Sequence, residues 1–255
     1  MIRIQIRTLV SICFLLCILT VEGQVKKDPV RILFVGNSFT YYFNLSQVVE
    51  SMALSQEVEL YTRQSTVGGS SLKQHWNQER GTQTRKLLDS LEWDYVVLNN
   101  HSLSTIENPD EFLEYSMKFA DLVRSKGAKP VFMQTWAYKS NPLMSRTIIP
   151  AYAELARLTN VHMVPCGELF DEARKWRPDL DLFSDDKHPS ANATYMLGLA
   201  FFKYFTGLAT SEISNRIWTE DKKGDRLYLL FLSLEDADFL QQLVDDFQFK
   251  YQANQ

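Results

Sequence analysis

The stretch that decides the fold is RILFVGNSF at residues 31–39, an apolar run followed by a glycine and two polar residues. A short apolar run that ends at a glycine predicts a buried β-strand followed by a turn. Apolar residues with helical spacing follow from Leu45 to Leu54. The stretch therefore predicts a strand, a turn that carries Ser38, and a helix.

The same alternation of short apolar runs and helical segments continues along the chain. Further strands are predicted at residues 58–61, 95–98 and 130–133, with a weaker one at 161–164. The predicted helices between and after them cover residues 84–91, 109–125 and 149–158. Strands that are apolar on both faces and alternate with helices indicate a parallel sheet covered on both sides. We therefore expect a three-layer α/β/α sandwich, with ligands at the carboxyl ends of its strands.

The last part of the chain is predicted to be helical. An apolar helix is predicted at residues 191–205, and an amphipathic helix rich in acidic residues at 227–249. We expect a single domain over residues 24–255, with a C-terminal helical extension that starts at about residue 208 and packs on the sheet edge.

Residues 1–23 have the features of a secretory signal peptide. Arg3 and Arg7 precede an apolar run over residues 8–20, and residues of modest size precede a cleavage point at Gln24. The run is short for a membrane span, although an uncleaved anchor helix is the alternative. We expect a secreted or periplasmic protein with no stable membrane span after cleavage.

Composition narrows the class of protein further. Cys13 and Cys17 lie within the predicted signal, so Cys166 alone remains and cannot form an internal disulfide. Stability must come from an apolar core, for which roughly 230 residues suffice. A net charge of −4 without a basic run argues against nucleic acid as a partner.

Ser38 lies in the turn where the first predicted strand meets the next helix. A hydroxyl at this place is exposed at the crevice, and Gly36 lets the backbone turn tightly. The amide hydrogens at the start of the helix would stabilise an oxyanion formed beside the serine. A Gly-Asn-Ser sequence also forms ordinary turns, so a structural role is the alternative.

The second informative segment is SDDKHP at residues 184–189, just before the last apolar helix. Its spacing puts the carboxylate of Asp185 three residues ahead of the imidazole of His188, on one side of a turn. A serine hydroxyl needs a base near neutral pH, which histidine supplies. A carboxylate on the second ring nitrogen would fix the tautomer. The alternatives are a solvated acidic loop and a helix-capping histidine.

Together, Gly-Asn-Ser-Phe at residues 36–39 and Asp-x-x-His-Pro at residues 185–189 resemble the SGNH hydrolases, also called the GDSL family. The resemblance spans roughly residues 31–205 and implies a flavodoxin-like, parallel five-stranded sheet. It implies that Ser38 is the nucleophile and donates one oxyanion amide, that His188 is the general base, and that Asp185 orients it. Asn37 and Phe39 depart from the Asp and Leu of the family's name.

The same resemblance implies two further oxyanion donors, a glycine after the second strand and an asparagine after the third. Gly69 matches the glycine best because a small polar residue follows it, with Gly68 as the alternative. The third block reads LNNHS at residues 98–102 and lacks the family's glycine. Asn99 is the preferred donor, because a side-chain amide directly follows this strand in sugar-esterase branches of the family. Asn100 is the alternative.

Three further residues are predicted to line the rim of the substrate crevice: His101, Trp136 and Tyr138. The two aromatic rings suit stacking on a sugar face, although such residues also cover sheet ends. A metal site built from His188 with His75, His101 or His162 is the minor alternative, because no ligand pair at metal spacing accompanies them. We expect no metal and no cofactor.

These residues predict a serine esterase that removes small acyl groups, with acetyl esters of carbohydrate expected from the family resemblance and from export. The substrate would be a small-molecule or glycan ester. A lysophospholipase or thioesterase of the same fold is one alternative, and a non-catalytic glycan-binding surface protein is another. A flavin or nucleotide binder ranks last, because the first loop lacks a phosphate-cradling run of glycines.

Overall fold

A computed structural model of the chain describes residues 28–249. Its main sheet contains five parallel strands in the order β2-β1-β3-β4-β5. The strands are β1 (Val30–Gly36), β2 (Leu60–Thr66), β3 (Tyr95–Leu98), β4 (Lys129–Met133) and β5 (His162–Val164). The predicted parallel five-stranded sheet is confirmed.

Ten α-helices accompany the strands within residues 28–249. They are α1 (Ser38–Tyr41), α2 (Leu45–Leu54), α3 (Leu72–Trp76), α4 (Thr84–Ser90), α5 (Ser104–Glu107), α6 (Pro109–Ser125), α7 (Ser145–Thr159), α8 (Cys166–Trp176), α9 (Ala191–Thr206) and α10 (Leu234–Asp246). Short 3₁₀ turns lie at Tyr42–Asn44, Glu79–Gly81 and Pro142–Met144.

Two apolar clusters fill the space on the two faces of the sheet. On one face, Ile32 and Phe34 of β1 pack with side chains of α2, α8, α9 and α10. On the other face, Leu33 and Val35 pack with side chains of α3, α4, α6 and α7. Because alternate residues of one strand enter different clusters, the sheet is buried on both sides. The predicted three-layer α/β/α sandwich is confirmed.

The second strand is longer than predicted. The prediction covered residues 58–61, whereas β2 continues to Thr66 through polar residues, of which Arg63 and Gln64 are exposed. β2 pairs with β1 alone and is an edge strand of the sheet, where polar side chains remain in contact with water. A prediction based on a run of apolar residues therefore finds only the first residues of β2.

The predicted helix over residues 227–249 is wrong in its first third. Strands β6 (Arg216–Glu220) and β7 (Arg226–Phe231) form an antiparallel hairpin, and α10 follows it. Gly224 closes the hairpin turn with a φ of +85°, a conformation that favours glycine. The apolar and aromatic run in β7 favours a strand, and the side chain of Ser233 caps the helix only after it. The extension beyond residue 208 thus contains a hairpin as well as a helix.

The predicted signal peptide, with Cys13 and Cys17, lies outside the described residues. Within them, no helix is both long and apolar enough to cross a membrane. Cys166 is fully buried at the start of α8, and this burial raises the pKa of its thiol.

Candidate active site

Ser38, His188 and Asp185 lie in one chain of hydrogen bonds at the carboxyl end of the sheet. Ser38 is the first residue of α1, directly after β1 and the capping residue Asn37. Nε2 of His188 lies 2.9 Å from Oγ of Ser38, and Nδ1 of His188 lies 2.7 Å from Oδ2 of Asp185. The structure therefore brings together three side chains that are separated by up to 150 residues in sequence.

The loop before α9 holds Asp185 in a fixed orientation toward His188. The backbone N–H groups of Lys187 and His188 both donate to Oδ1 of Asp185 at 2.8 Å, which leaves Oδ2 for the imidazole. The hydrogen bond from the His188 side chain, followed by the two backbone hydrogen bonds, holds the pKa of Asp185 well below its ordinary value. Asp185 thus stays ionised, as a residue that orients a histidine must.

The same loop is closed by a short bridge between Phe183 and Pro189. The backbone N–H of Ser184 donates to the carbonyl of His188 at 2.9 Å. Next to it, the side chain of Ser190 accepts from the N–H of Ala193 and caps α9. The turn and the helix cap together position His188.

Gly36 is required at the end of β1 by close packing. A Cβ at this position would lie 2.3 Å from Oγ1 of Thr40 and 2.9 Å from Cβ of Asn99. Any larger residue would push the Ser38 turn away from β3.

Asn37 connects the turn after β1 with the turns after β2 and β3. Its Oδ1 accepts from the N–H of Phe39 at 3.0 Å, and its Nδ2 donates to the carbonyls of Ser70 and Asn100 at 3.1 and 3.0 Å. The prediction noted Asn37 only as a departure from the family motif. An amide supplies both the acceptor and the two donors that these contacts need, so the residue has a structural role of its own.

The prediction of Asn99 as an oxyanion donor is wrong. Asn99 is fully buried, its Nδ2 donates to the carbonyl of Met133 at 3.2 Å, and its Oδ1 accepts from Thr40 at 3.3 Å. The Asn99 side chain is enclosed between Thr40 of α1 and Met133 at the end of β4. Its amide is therefore used in packing the end of the sheet.

Asn100, the alternative, has a side-chain amide that is held in place by its oxygen. Its Oδ1 accepts from the backbone N–H groups of Leu72 and His101 at 3.1 and 2.8 Å, which fixes the orientation of the amide. Its Nδ2 makes no hydrogen bond to the part of the chain that the structure describes. An oriented amide with a free N–H is what an oxyanion hole requires.

Two backbone amides complete the set of free donors near Ser38. The N–H of Ser38 and the N–H of Gly69 have no hydrogen-bond acceptor within residues 28–249. Gly69 has a φ of +66° and borders the same small cavity as Asn100. Gly68 is also exposed but packs toward the hydroxyl of Tyr41. The N–H of Gly68 likewise has no acceptor within residues 28–249, so the preference for Gly69 over Gly68 stays a prediction.

The comparison with known proteins rests on structure. No sequence profile of a known family matches the chain, and no curated protein matches it. A proposed SGNH hydrolase from Slackia heliotrinireducens superimposes with a TM-score of 0.61 at 23% identity, over 70% of this chain and 100% of that one. The chain has the SGNH hydrolase fold.

Two further solved structures share this fold. A DUF4886 family protein from Bacteroides uniformis superimposes with a TM-score of 0.68 at 17% identity, over 86% of this chain and 94% of that one. The acetylxylan esterase Axe2 from Geobacillus stearothermophilus superimposes with a TM-score of 0.56 at 16% identity, over 69% of this chain and 94% of that one.

In this SGNH fold, the prediction that Trp136 lines the substrate rim is wrong. Its indole is fully buried and stacks between Phe39, at a centroid distance of 4.1 Å, and Phe170, at 4.5 Å. Its Nε1 donates to the carbonyl of Lys187 at 2.9 Å. Both faces of the ring are covered, so it cannot stack on a sugar. Trp136 instead supports the loop that carries His188.

The other two predicted rim residues are half-buried. His101 borders the small cavity beside Gly69 and Asn100, and burial lowers the pKa of its imidazole. The hydroxyl of Tyr138 lies 2.8 Å from Oγ of Ser102. Both side chains are accessible in part, and their role at the rim stays a prediction.

The remaining histidines lie apart from His188. His75 is fully buried under the turn after β1, where its Nε2 lies 2.9 Å from the carbonyl of Gly36. Burial lowers the pKa of His75 to about 4, so it is neutral at physiological pH. His162 begins β5, at the opposite end of the sheet. No group of three or more potential metal ligands occurs among residues 28–249.

Sequence reasoning missed one contact of the site. The ring of Tyr42 lies against the imidazole of His188, with centroids 4.2 Å apart and planes inclined by 2°. The signal in the sequence is the run of aromatic residues at positions 41–43, which begins at the last residue of α1.

Proposed function

We propose that this protein is a serine esterase that hydrolyses small acyl esters through an acyl-enzyme on Ser38. The observation that carries the proposal is the hydrogen-bond chain from Ser38 Oγ through His188 to Asp185, with distances of 2.9 and 2.7 Å. A serine hydroxyl becomes a competent nucleophile when a neighbouring histidine accepts its proton and a carboxylate orients that histidine.

In the first half of the reaction, Oγ of Ser38 attacks the ester carbonyl carbon while Nε2 of His188 takes its proton. The carbonyl oxygen becomes an oxyanion, which accepts hydrogen bonds from the free N–H groups of Ser38, Gly69 and Asn100. The C–O bond to the alcohol then breaks, and the His188 imidazolium returns the proton to the leaving oxygen. Ser38 is left acylated.

In the second half, Nε2 of His188 takes a proton from water, and the hydroxide attacks the acyl carbon. The same three N–H groups stabilise the second oxyanion. Collapse of this intermediate releases the carboxylic acid and returns the proton to Ser38. The ionised Asp185 accepts a hydrogen bond from the Nδ1–H of His188 throughout and stabilises the imidazolium.

The surroundings of the donors support a small acyl group on a hydroxyl-rich alcohol. Gly69 and Asn100 border a cavity of about 240 Å³. Its other lining residues are almost all polar or charged and include Lys73, Gln74, His101, Glu107 and Glu111. Polar linings of this kind match sugar hydroxyls and disfavour a long hydrocarbon chain. The fold shared with an acetylxylan esterase supports the same choice of substrate, an acetylated carbohydrate.

The site of action belongs to the same proposal. An apolar run over residues 8–20 after two arginines favours export, where polymeric acetylated carbohydrate is accessible. Cleavage before Gln24 is tested by determining the N-terminal residue of the protein recovered from outside the cytoplasm.

The activity is tested by hydrolysis of 4-nitrophenyl acetate, butyrate and octanoate, with acetylated xylo-oligosaccharide as the carbohydrate substrate. Wild type is compared with Ser38→Ala and with the matched control Ser55→Ala, a helix-terminal serine on the surface. We expect acetate to be the best of the three esters and Ser38→Ala alone to lose activity. A wild type that is inactive and not labelled by a fluorophosphonate would refute the esterase proposal.

A further inference from the structure

The imidazole of His188 contacts two aromatic rings from the segment that also carries Ser38. Tyr42 lies flat on the imidazole at a centroid distance of 4.2 Å, and Phe39 meets it edge-on at 6.1 Å and 78°. Phe39 in turn stacks on Trp136, with planes inclined by 5°. The orientation of the His188 imidazole therefore depends on the residues that directly follow Ser38.

The backbone adopts an uncommon conformation to place the Tyr42 ring. The next two residues, Phe43 and Asn44, have φ angles of +48° and +53° in succession. Non-glycine residues in this left-handed region are strained and concentrate at functional sites. The turn persists because it packs against α9 and β7 of the C-terminal hairpin. The hairpin thus supports the segment that faces His188.

The hydrogen bond to Asp185 alone leaves the imidazole weakly constrained. The Asp185 side chain is 51% exposed, whereas that of His188 is only 15% exposed. Water competes for the carboxylate. The hydrogen bonds at Nδ1 and Nε2 both lie in the ring plane, so they do not prevent the ring from tilting about the line that joins the two nitrogens. A flat aromatic contact on the ring face opposes this tilt and excludes water from that face. The electron-rich face of a phenol also attracts the imidazolium that forms during catalysis.

We propose that Tyr42 is a positioning residue that holds the His188 imidazole in line between Asp185 and Ser38, acting through its ring and not through its hydroxyl. The inference rests on the proposed function, because it assumes that His188 is the general base. It extends that function by assigning a role to the turn at Tyr42–Asn44 and to the hairpin behind it.

The test compares Tyr42→Ala and Tyr42→Phe with the control Trp176→Ala, an exposed aromatic residue on α8 whose indole contacts Glu172 and Lys175 of its own helix. Since a misplaced catalytic group costs up to about a hundredfold, we expect Tyr42→Ala to lower kcat for 4-nitrophenyl acetate by about tenfold or more. KM should stay close to the wild-type value, and Tyr42→Phe should restore kcat because it keeps the ring. Trp176→Ala should behave as wild type.

A spectroscopic measurement keeps this test independent of catalysis. The chain contains 4 histidines, so the imidazole proton resonances of His188 can be assigned by NMR through His188→Gln. Stacking predicts an upfield ring-current shift that is lost in Tyr42→Ala and kept in Tyr42→Phe. This shift needs no substrate, so it is measurable even if the proposed esterase activity fails.

Three outcomes would overturn the positioning role. In the first, the ring-current shift is lost in Tyr42→Ala while kcat is unchanged. In the second, Tyr42→Phe is as impaired as Tyr42→Ala, which would assign the effect to the hydroxyl. In the third, KM rises with kcat unchanged, which would make Tyr42 a substrate contact.

Discussion

The carboxylate of Asp185 accepts hydrogen bonds from three N–H groups of its own loop, including Nδ1 of His188 at 2.7 Å, although about half of its side chain is exposed. Orientation of the base therefore depends on a local turn of four residues, and burial contributes little to it. This arrangement makes separate predictions for catalysis and for pH dependence.

Replacement of Asp185 by Asn tests its role in catalysis. The amide is the same size, and its oxygen can still accept the backbone N–H groups. Its NH2 group then faces Nδ1 of His188, where it cannot accept the hydrogen bond that the carboxylate accepts. We expect kcat to fall by about a hundredfold to ten-thousandfold with little change in KM. The matched control is Asp121→Asn, an exposed aspartate on α6 whose side chain is 81% accessible. Equal activity of Asp185→Asn and wild type would exclude Asp185 as the orienting group.

The stability of the fold should depend on pH through the same carboxylate. Its pKa is depressed in the folded state, so the folded state binds the proton less readily than the unfolded state does. The stabilisation is therefore present above the ordinary aspartate pKa of about 3.9 and is lost as the pH falls below it. Because the group is half exposed, solvent reduces the effect.

Urea denaturation of wild type and Asp185→Asn between pH 3 and pH 7 measures this contribution. We expect wild type to have the larger free energy of unfolding at pH 7, and the difference to shrink as the pH falls through about 4. A difference that grows toward low pH would contradict the depressed pKa. Asp121→Asn again serves as the control, since its carboxyl has one ion-pair contact at 3.8 Å.

Much of this site follows from sequence, because its residues are tied to recognisable local features. Ser38 follows a buried strand, and Asp185 and His188 share a short turn before an apolar helix, so a parallel sheet places all three at one edge. The choice between Asn99 and Asn100 could not be made this way. The direction of a side chain after the end of a strand depends on the turn geometry, and that is set by Asn37 through contacts across three loops.

The C-terminal hairpin and the contact between Tyr42 and His188 could not be predicted from the sequence either. Apolar residues at positions 227, 230 and 231 fit helical spacing, and those at 227, 229 and 231 fit extended spacing. Pairing with β6 decides between the two. The Tyr42 contact depends on positive φ angles at two successive residues, Phe43 and Asn44. These residue types do not by themselves predict that conformation.

The two asparagines after β3 should respond differently to substitution. Asn100→Asp keeps an oxygen to accept the N–H groups of Leu72 and His101 but replaces the free Nδ2 donor, and it adds a negative charge where the oxyanion forms. Loss of one oxyanion donor costs about a hundredfold to a thousandfold, so we expect at least that loss in kcat with a folded protein.

Asn99→Ala should instead reduce stability, because it removes the buried amide that donates to Met133 and accepts from Thr40. Leaving such partners unsatisfied costs about 1–3 kcal/mol of unfolding free energy. Circular dichroism and denaturation of both variants, alongside kcat, separate the two effects. If Asn99→Ala stays as stable as wild type but loses the larger share of kcat, the assignment of the donor reverts to Asn99.

Substitution of Trp136 tests whether this residue belongs to the core or to the substrate rim. Its indole is enclosed by Phe39 and Phe170 and hydrogen-bonded to the carbonyl of Lys187, so truncation leaves a cavity beneath the His188 loop. We expect Trp136→Ala to lower the free energy of unfolding by about 3–5 kcal/mol. Trp136→Phe keeps a stacking ring and should lose less.

Trp176→Ala is the matched control for Trp136, because the Trp176 side chain is 63% exposed on α8. Truncation of an exposed side chain changes stability by about 0.5 kcal/mol or less. A rim residue would show the opposite pattern from a core residue: stability would be unchanged in Trp136→Ala and KM for acetylated xylo-oligosaccharide alone would rise. Because no face of the indole is open to a ligand, we expect the loss of stability to be accompanied by a fall in kcat for every ester, as the support of the His188 loop is removed.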